Sequence, residues 1–163
     1  MRGLIPIAAL LALTVSAPPA GAQEAITGRA VGAVFDDICV RQAPSFRRSR
    51  SLMVRHGLTS RSDGGAIGHP DGTMAAELEI RRGAAPVRRC SLIYTVPDAD
   101  GAMAAIEGIV ERLFEEAWNR RQIDASPGRA ATAWTVLLDG KLGELIHLPY
   151  SGTDNLGVMT IRF

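Results

Sequence analysis

The sequence predicts a two-layer α+β fold. About five largely antiparallel strands should carry an amphipathic long helix and a short N-terminal helical pair on one face. Apolar residues recur at helical spacing near the N-terminus and over about 101–121, and they alternate with polar residues over 74–81 and 87–96. The only cysteines, Cys39 and Cys90, fall in a predicted helix and a predicted strand. A bond between them would join the two layers.

The first 22 residues have the pattern of an export signal. A short basic start (Met1-Arg2) precedes an apolar run over 4–15 and a small-residue cleavage site at 20–22. The apolar run is shorter than the roughly 20 residues that span a bilayer, and no later segment is longer. We therefore expect residues 1–22 to be a removed signal peptide. Residues 23–163 are expected to form a single α+β domain, periplasmic or secreted, without a transmembrane span.

Two helices are expected at the start of this domain. Thr27 is a suitable N-cap for a helix to about residue 42, with Asp36 and Asp37 on its solvent side. After Pro44, a shorter helix is expected over about 45–56, followed by Gly57 as its C-terminal cap.

Residues 58–73 are dense in Gly, Asp, Ser and Pro, which predicts a long loop without a helix or a central strand. Long loops in compact domains are often functional. The predicted binding residues therefore lie on the second helix and on this loop: Arg47, Arg48, Arg50, Arg55, Arg61 and His69.

A hairpin is predicted from the strands over 74–81 and 87–96. The register that places Leu78 opposite Cys90 on the buried face also places Glu79 opposite Arg89, an attractive cross-strand pair.

The longest helix is predicted over about 101–121, with Asp98 or Asp100 as its N-cap. Asp139-Gly140 predicts a two-residue turn between two of the last three strands. These strands are expected over 132–138, 141–148 and 156–163.

Cys39 lies on or beside the apolar stripe of the first helix, and Cys90 alternates with Leu92 and Tyr94 on one face of its strand. Both sulfurs should therefore point into the interface between helices and sheet. An even cysteine count in an exported chain favours a disulfide, and we predict one between Cys39 and Cys90 as a structural link.

The charge balance limits the classes of partner. The chain has 18 basic and 17 acidic residues, and removal of the signal would leave 17 of each. Such a balance argues against nucleic acid as a partner. The distribution is uneven, however, because residues 41–90 contain ten arginines and four acidic residues.

No catalytic, cofactor or metal motif is present, and we predict no catalytic residue, no cofactor and no metal ligand. His56, His69 and His147 show no ligand spacing, and no G-x-S-x-G or phosphate-loop motif occurs.

The chain nevertheless has a familiar layout. A helix with Phe35-x-x-x-Cys39 is followed by a Gly-rich loop with His69-Pro70 and a strand with Cys90-x-Leu92-x-Tyr94. This layout resembles small exported proteins of Gram-negative bacteria that have no assigned activity. The resemblance implies a periplasmic α+β fold with a disulfide, and it implies no activity.

The sequence therefore favours a non-enzymatic binding or interaction protein, whose partner is an envelope protein or an anionic ligand. The alternative is a small hydrolase or metal-dependent enzyme with His69 and His147 near the 58–73 loop. In a third reading, the strand that ends at Phe163 lies at a sheet edge and pairs with a client protein.

Overall fold

In the described part of the chain, three helices lie against one antiparallel sheet, which confirms the predicted α+β class. The computed structural model describes residues 26–60, 67–84, 86–113, 117–126 and 128–163; the predicted signal peptide lies outside them. The helices are α1 (Gly28–Ile38), α2 (Ser49–Arg55) and α3 (Ala99–Arg112), with a 3₁₀ turn at Val40–Gln42. The strands are β1 (Thr59–Ser60), β2 (Ile67–Gly68), β3 (Met74–Arg81), β4 (Val87–Tyr94), β5 (Ala117–Ser126), β6 (Arg129–Leu138), β7 (Lys141–Ser151) and β8 (Leu156–Arg162).

The strands form one sheet in the order β1-β2-β3-β4-β8-β7-β6-β5, so the predicted number of five strands was wrong. Two of the additional strands are the two-residue β1 and β2, which lie within the predicted 58–73 loop. The prediction that the last strand lies at a sheet edge was also wrong, because β8 pairs with β4 on one side and β7 on the other. Among the described residues, no helix is long and apolar enough to cross a membrane.

The third additional strand, β5, replaces the end of the predicted long helix. Helix α3 ends at Arg112, and residues 117–121 already pair with β6. Their helical periodicity is overridden by the hydrogen bonds and packing that a neighbouring strand offers. The pairing is interrupted between Trp118 and Arg121, where Asn119 has φ of 57°, a conformation that asparagine tolerates better than most residues.

The sheet has two unlike faces because successive side chains alternate between them. On β4, Cys90, Leu92 and Tyr94 are fully buried with the helices in one hydrophobic core; we call this side the core face. Arg89 and Ile93, which alternate with them, point to the opposite side, which we call the outer face.

Helices α1 and α3 run side by side at very short range. The Asp98 carboxylate caps α3 by accepting from the Gly101 amide (2.9 Å), and it also accepts from the Gly28 amide at the start of α1 (2.8 Å). One turn further, a Cβ added at Gly32 would lie 2.2 Å from the Cβ of Ala105. Glycine at this position therefore permits the close approach of the two helices.

Asp36 links the other end of α1 to α3, and its predicted position on the solvent side was wrong. The residue is only 7% exposed. Its carboxylate accepts from Arg112 (Nη1, 2.7 Å) and from Arg41 (Nε, 2.9 Å). The hydrogen bond that Arg112 donates to Asp36 raises the pKa of Arg112, so its guanidinium stays charged.

The predicted disulfide and the predicted hairpin register are confirmed. Cys39 and Cys90 form a disulfide with Cα atoms 5.4 Å apart. In the β3–β4 hairpin, Leu78 is opposite Cys90 and Glu79 is opposite Arg89. The turn between β6 and β7 contains only Asp139 and Gly140, both at positive φ, as a type I′ turn requires.

We expect Gly32→Ala to destabilise the fold by about 2 kcal/mol, because its Cβ would force α1 and α3 apart. Gly108→Ala is the matched control, since a Cβ at Gly108 of α3 meets nothing within 4 Å. The control should stabilise the protein by roughly 0.5–1 kcal/mol through helix propensity. Urea denaturation measures both, and equal effects of the two substitutions would contradict the close-packing role of Gly32.

We expect the double substitution Cys39→Ala and Cys90→Ala to lower the free energy of unfolding. The disulfide spans a sequence separation of 51 residues, for which loop-closure entropy predicts a loss of about 4 kcal/mol. Denaturation of the variant and of the oxidised parent measures the difference. A midpoint equal to that of the parent would show that the link does not contribute to stability.

Candidate functional site

Four of the predicted binding residues lie together on and beside α2. Leu52 and Met53 anchor this short helix in the core. Its solvent side carries an exposed apolar residue, Val54, at 62% exposure. We call the exposed set around it the α2 surface: Arg47, Arg48, Arg50, Arg55 and Val54.

The arginines of the α2 surface differ from most others in the protein. Among the described residues, no carboxylate lies within ion-pair distance of any of the four, whereas eight other arginines form such pairs. All four arginines are exposed, so burial does not explain why they form no ion pair with a described carboxylate. Four neighbouring guanidiniums without a carboxylate partner among the described residues concentrate positive charge where an external group can reach it.

Two polar contacts fix the α2 segment, one to α1 and the other to β4. His56, the C-cap of α2, has its Nε2 atom 2.8 Å from the Asp37 carboxylate of α1. Before the helix, Arg88 of β4 donates to the Pro44 carbonyl oxygen (3.2 Å). Gly57 follows His56 at φ of 76°, as a C-terminal glycine cap requires. The α2 surface is therefore presented by a segment fixed to both layers of the fold.

His69, another predicted binding residue, pairs within its own turn, and its ring lies beside Gly57 at the end of α2. Its backbone amide donates to the Met74 carbonyl oxygen (2.8 Å), and its Nδ1 atom lies 2.6 Å from the Asp71 carboxylate. The hydrogen bond from the Thr73 hydroxyl lowers the pKa of Asp71, so Asp71 is a charged partner for His69. His69 therefore helps to close the turn before β3. The remaining predicted binding residue, Arg61, lies outside the described residues.

A second charged region crosses the outer face of the sheet. Four residues on four neighbouring strands are aligned in register: Glu79 (β3), Arg89 (β4), Arg162 (β8) and Glu144 (β7). The two arginines are directly opposite each other in the middle of this row. Sequence reasoning found Arg89 opposite Glu79 but missed Arg162, because no local signal showed that β4 and β8 would be neighbours.

Each glutamate of the row is shared by two arginines. Glu79 pairs with Arg89 (3.0 Å) and Arg81 (2.6 Å). Glu144 pairs with Arg162 (Nε, 2.7 Å) and with Arg121 of β5. The row and its neighbours therefore contain four guanidiniums and two carboxylates.

A cavity of about 410 Å³ lies beside this row. Its apolar walls are Val87 of β4 and Leu142 of β7. Phe163, which follows the end of β8, also lines the cavity, and its ring packs over Gly143 and beside Phe46 of the core. We call this space the sheet-end cavity, with Arg81, Arg89, Arg162, Glu79 and Glu144 as its charged lining.

The two charged regions are adjacent. Arg50 of the α2 surface lines a second cavity of about 350 Å³ together with Glu79 and Arg89. Residues of two arginine-rich regions that are distant in sequence thus line one cavity.

His147 lies in the core and bonds to Tyr94. Its side chain is fully buried on β7, and its Nε2 atom lies 2.9 Å from the Tyr94 hydroxyl. Burial lowers the pKa of His147 to about 4 and raises the pKa of Tyr94 to about 12. Each of the three histidines thus has a different partner. Over the described ranges, no group of three or more His, Cys, Asp and Glu residues is arranged to hold a metal ion.

No protein-family model, curated protein or solved structure matches this chain.

The buried His147 predicts a pH dependence of stability. In the folded protein its pKa is about 4, against 6.5 for an unperturbed histidine. Between these values the unfolded chain binds a proton that the folded protein does not, so the free energy of unfolding falls as the pH drops from 6.5 to 4. The loss is at most about 3 kcal/mol.

His147→Gln is the comparison variant, since glutamine can still bond to the Tyr94 hydroxyl but does not titrate. Urea denaturation over this pH range should give a flatter profile for the variant than for the parent. The same slope in both proteins would assign the pH dependence to other groups.

Proposed function

We propose that this is an exported, non-enzymatic binding protein that captures an acidic protein segment on its α2 surface. The observation that carries the proposal is the set of four exposed arginines without a carboxylate partner among the described residues. Most of the other described arginines are paired within the fold, so four arginines without a described carboxylate partner, on and beside one short helix, are a distinct feature.

The chemistry of the α2 surface favours a protein segment over a simple inorganic anion. Val54 is exposed among the arginines, and Arg50 lies one helical turn before it on the same side of α2. A partner with both acidic and apolar side chains would pair with the guanidiniums and cover Val54. Arginine also forms bidentate hydrogen bonds with carboxylates, which adds geometric selectivity.

Export is supported by two independent features. Residues 1–22 have the charge, apolar run and small-residue site of a signal peptide. The disulfide between Cys39 and Cys90 is the kind of link that persists in an oxidising compartment. A periplasmic or secreted binding protein would meet envelope proteins as partners.

The test uses a fluorescent peptide of alternating glutamate and leucine and measures its anisotropy with the purified protein. Arg47→Gln combined with Arg50→Gln should weaken binding roughly fivefold, from about 0.5 kcal/mol per exposed ionic contact. Binding to the parent should weaken with added salt, because exposed charges are screened.

Arg29→Gln combined with Arg82→Gln is the matched control, since both residues are exposed and the change in net charge is identical. The control should bind the peptide as the parent does. Equal weakening by the two double variants would reduce the effect to net charge and reject the α2 surface as the site. Equal binding of a lysine–leucine peptide would reject acidic selectivity.

A further inference from the structure

The pairing of Arg89 with Arg162 runs against the stability of the sheet. These residues are directly opposite each other on β4 and β8, and like charges in that position destabilise a strand pair. The next register position on the same face, two residues along, holds a favourable pair, Ser91 and Thr160, whose hydroxyl groups are 2.9 Å apart. An unfavourable local choice beside a cavity is typical of a functional site.

The neighbouring glutamates compensate this repulsion only in part. Glu79 and Glu144 lie on the outer sides of the two arginines, and each also pairs with a further arginine. The guanidiniums of Arg89 and Arg162 retain hydrogen-bonding capacity, because each has five N–H donors. Arg89 uses only Nη2 for its ion pair, and Arg162 uses Nε and Nη2. Both residues line the sheet-end cavity.

The cavity combines this charge with apolar surface. Val87 and Leu142 line it beyond the row of charges, and Leu142 is 65% exposed. Its volume of about 410 Å³ lies within the range of small-molecule sites, about 300–1,000 Å³. A polar end and an apolar end in one cavity match a ligand with the same division.

We propose that the sheet-end cavity binds a small organic carboxylate with an apolar tail. The carboxylate lies between Arg89 and Arg162 and accepts hydrogen bonds from both guanidiniums, which relieves their repulsion. The tail lies against Val87 and Leu142 and removes their apolar surface from water. This site is separate from the α2 surface and does not depend on the function proposed for it.

Four simple probes separate the two parts of the proposal in an amide chemical-shift titration. Octanoate has both the carboxylate and the tail, acetate has only the carboxylate, and octanamide has only the tail. Octanoate should bind at least about tenfold more tightly than either, with the largest shifts at Arg89, Arg162 and Leu142. Inorganic phosphate tests whether any oxyanion suffices. Equal affinity for octanoate and octanamide, or for octanoate and either phosphate or acetate, would overturn the proposal.

Arg162→Gln should weaken octanoate binding at least about tenfold. The variant is expected to fold, because Glu144 keeps its pair with Arg121. Its unfolding midpoint without ligand should equal or exceed that of the parent, since a like-charge pair is removed. The matched control is Arg82→Gln, an exposed arginine outside the cavity, which should bind octanoate normally.

Two results would reject the site. Unchanged octanoate affinity in Arg162→Gln would show that the arginine pair does not hold the carboxylate, and a lowered midpoint with that result would assign the pair to stability alone. Equal loss of affinity in Arg82→Gln would reduce binding to net charge. The variant with Arg47→Gln and Arg50→Gln should retain octanoate binding, which keeps failure of this site distinguishable from failure of the α2 surface.

Discussion

The close contact of α1 with α3 is the constraint on which the rest of the structure depends. It is made at three levels along α1: the Gly28 amide bonds to the Asp98 carboxylate, Gly32 packs on Ala105, and Asp36 pairs with Arg112. The Asp98 carboxylate lies at the N-terminal ends of two neighbouring helices, where negative charge is favourable. With α1 held in this way, Cys39 reaches Cys90 of the sheet, and Asp37 reaches His56 of α2.

A single pattern accounts for six of the eight arginine ion pairs in the described part of the chain. Asp36, Glu79 and Glu144 each accept from two arginines. Sharing lets three carboxylates hold six guanidiniums, so arginine-rich segments are accommodated without an equal number of acidic residues. Each of these carboxylates therefore keeps one arginine partner when the other arginine is replaced. The arginines of the α2 surface do not follow this pattern. Arg89 and Arg162 follow it and also line the sheet-end cavity. Both proposed sites therefore arise where internal pairing of charge is incomplete.

In contrast to these charged pairs, Tyr94 and His147 are polar groups that bond to each other inside the core. Both lie on the core face, and each gives the other a hydrogen-bond partner. A buried histidine is tolerated because it stays neutral, and a neutral imidazole needs far less compensation than a charged one. Gly157 of β8 makes room for this arrangement, since a Cβ there would lie 2.3 Å from the Tyr94 ring. The pair is better explained as part of the core than as a catalytic group, because it is buried and bonds across β8, which lies between β4 and β7.

The sequence by itself determined the α+β class, the disulfide, the register of the β3–β4 hairpin and the clustering of arginines on α2. These features depend on periodicity, on turn residues such as Asp139-Gly140 and on neighbours close along the chain. Only the tertiary structure decided that residues 117–126 form β5, that β8 is a central strand, and that Asp36 is buried between arginines. The position of Arg162 beside Arg89 is of the same kind, because it follows from the pairing of β4 with β8, whose paired residues are 63 to 73 positions apart in the sequence. Such contacts depend on packing and hydrogen bonding between distant segments, and local propensity carries no information about them.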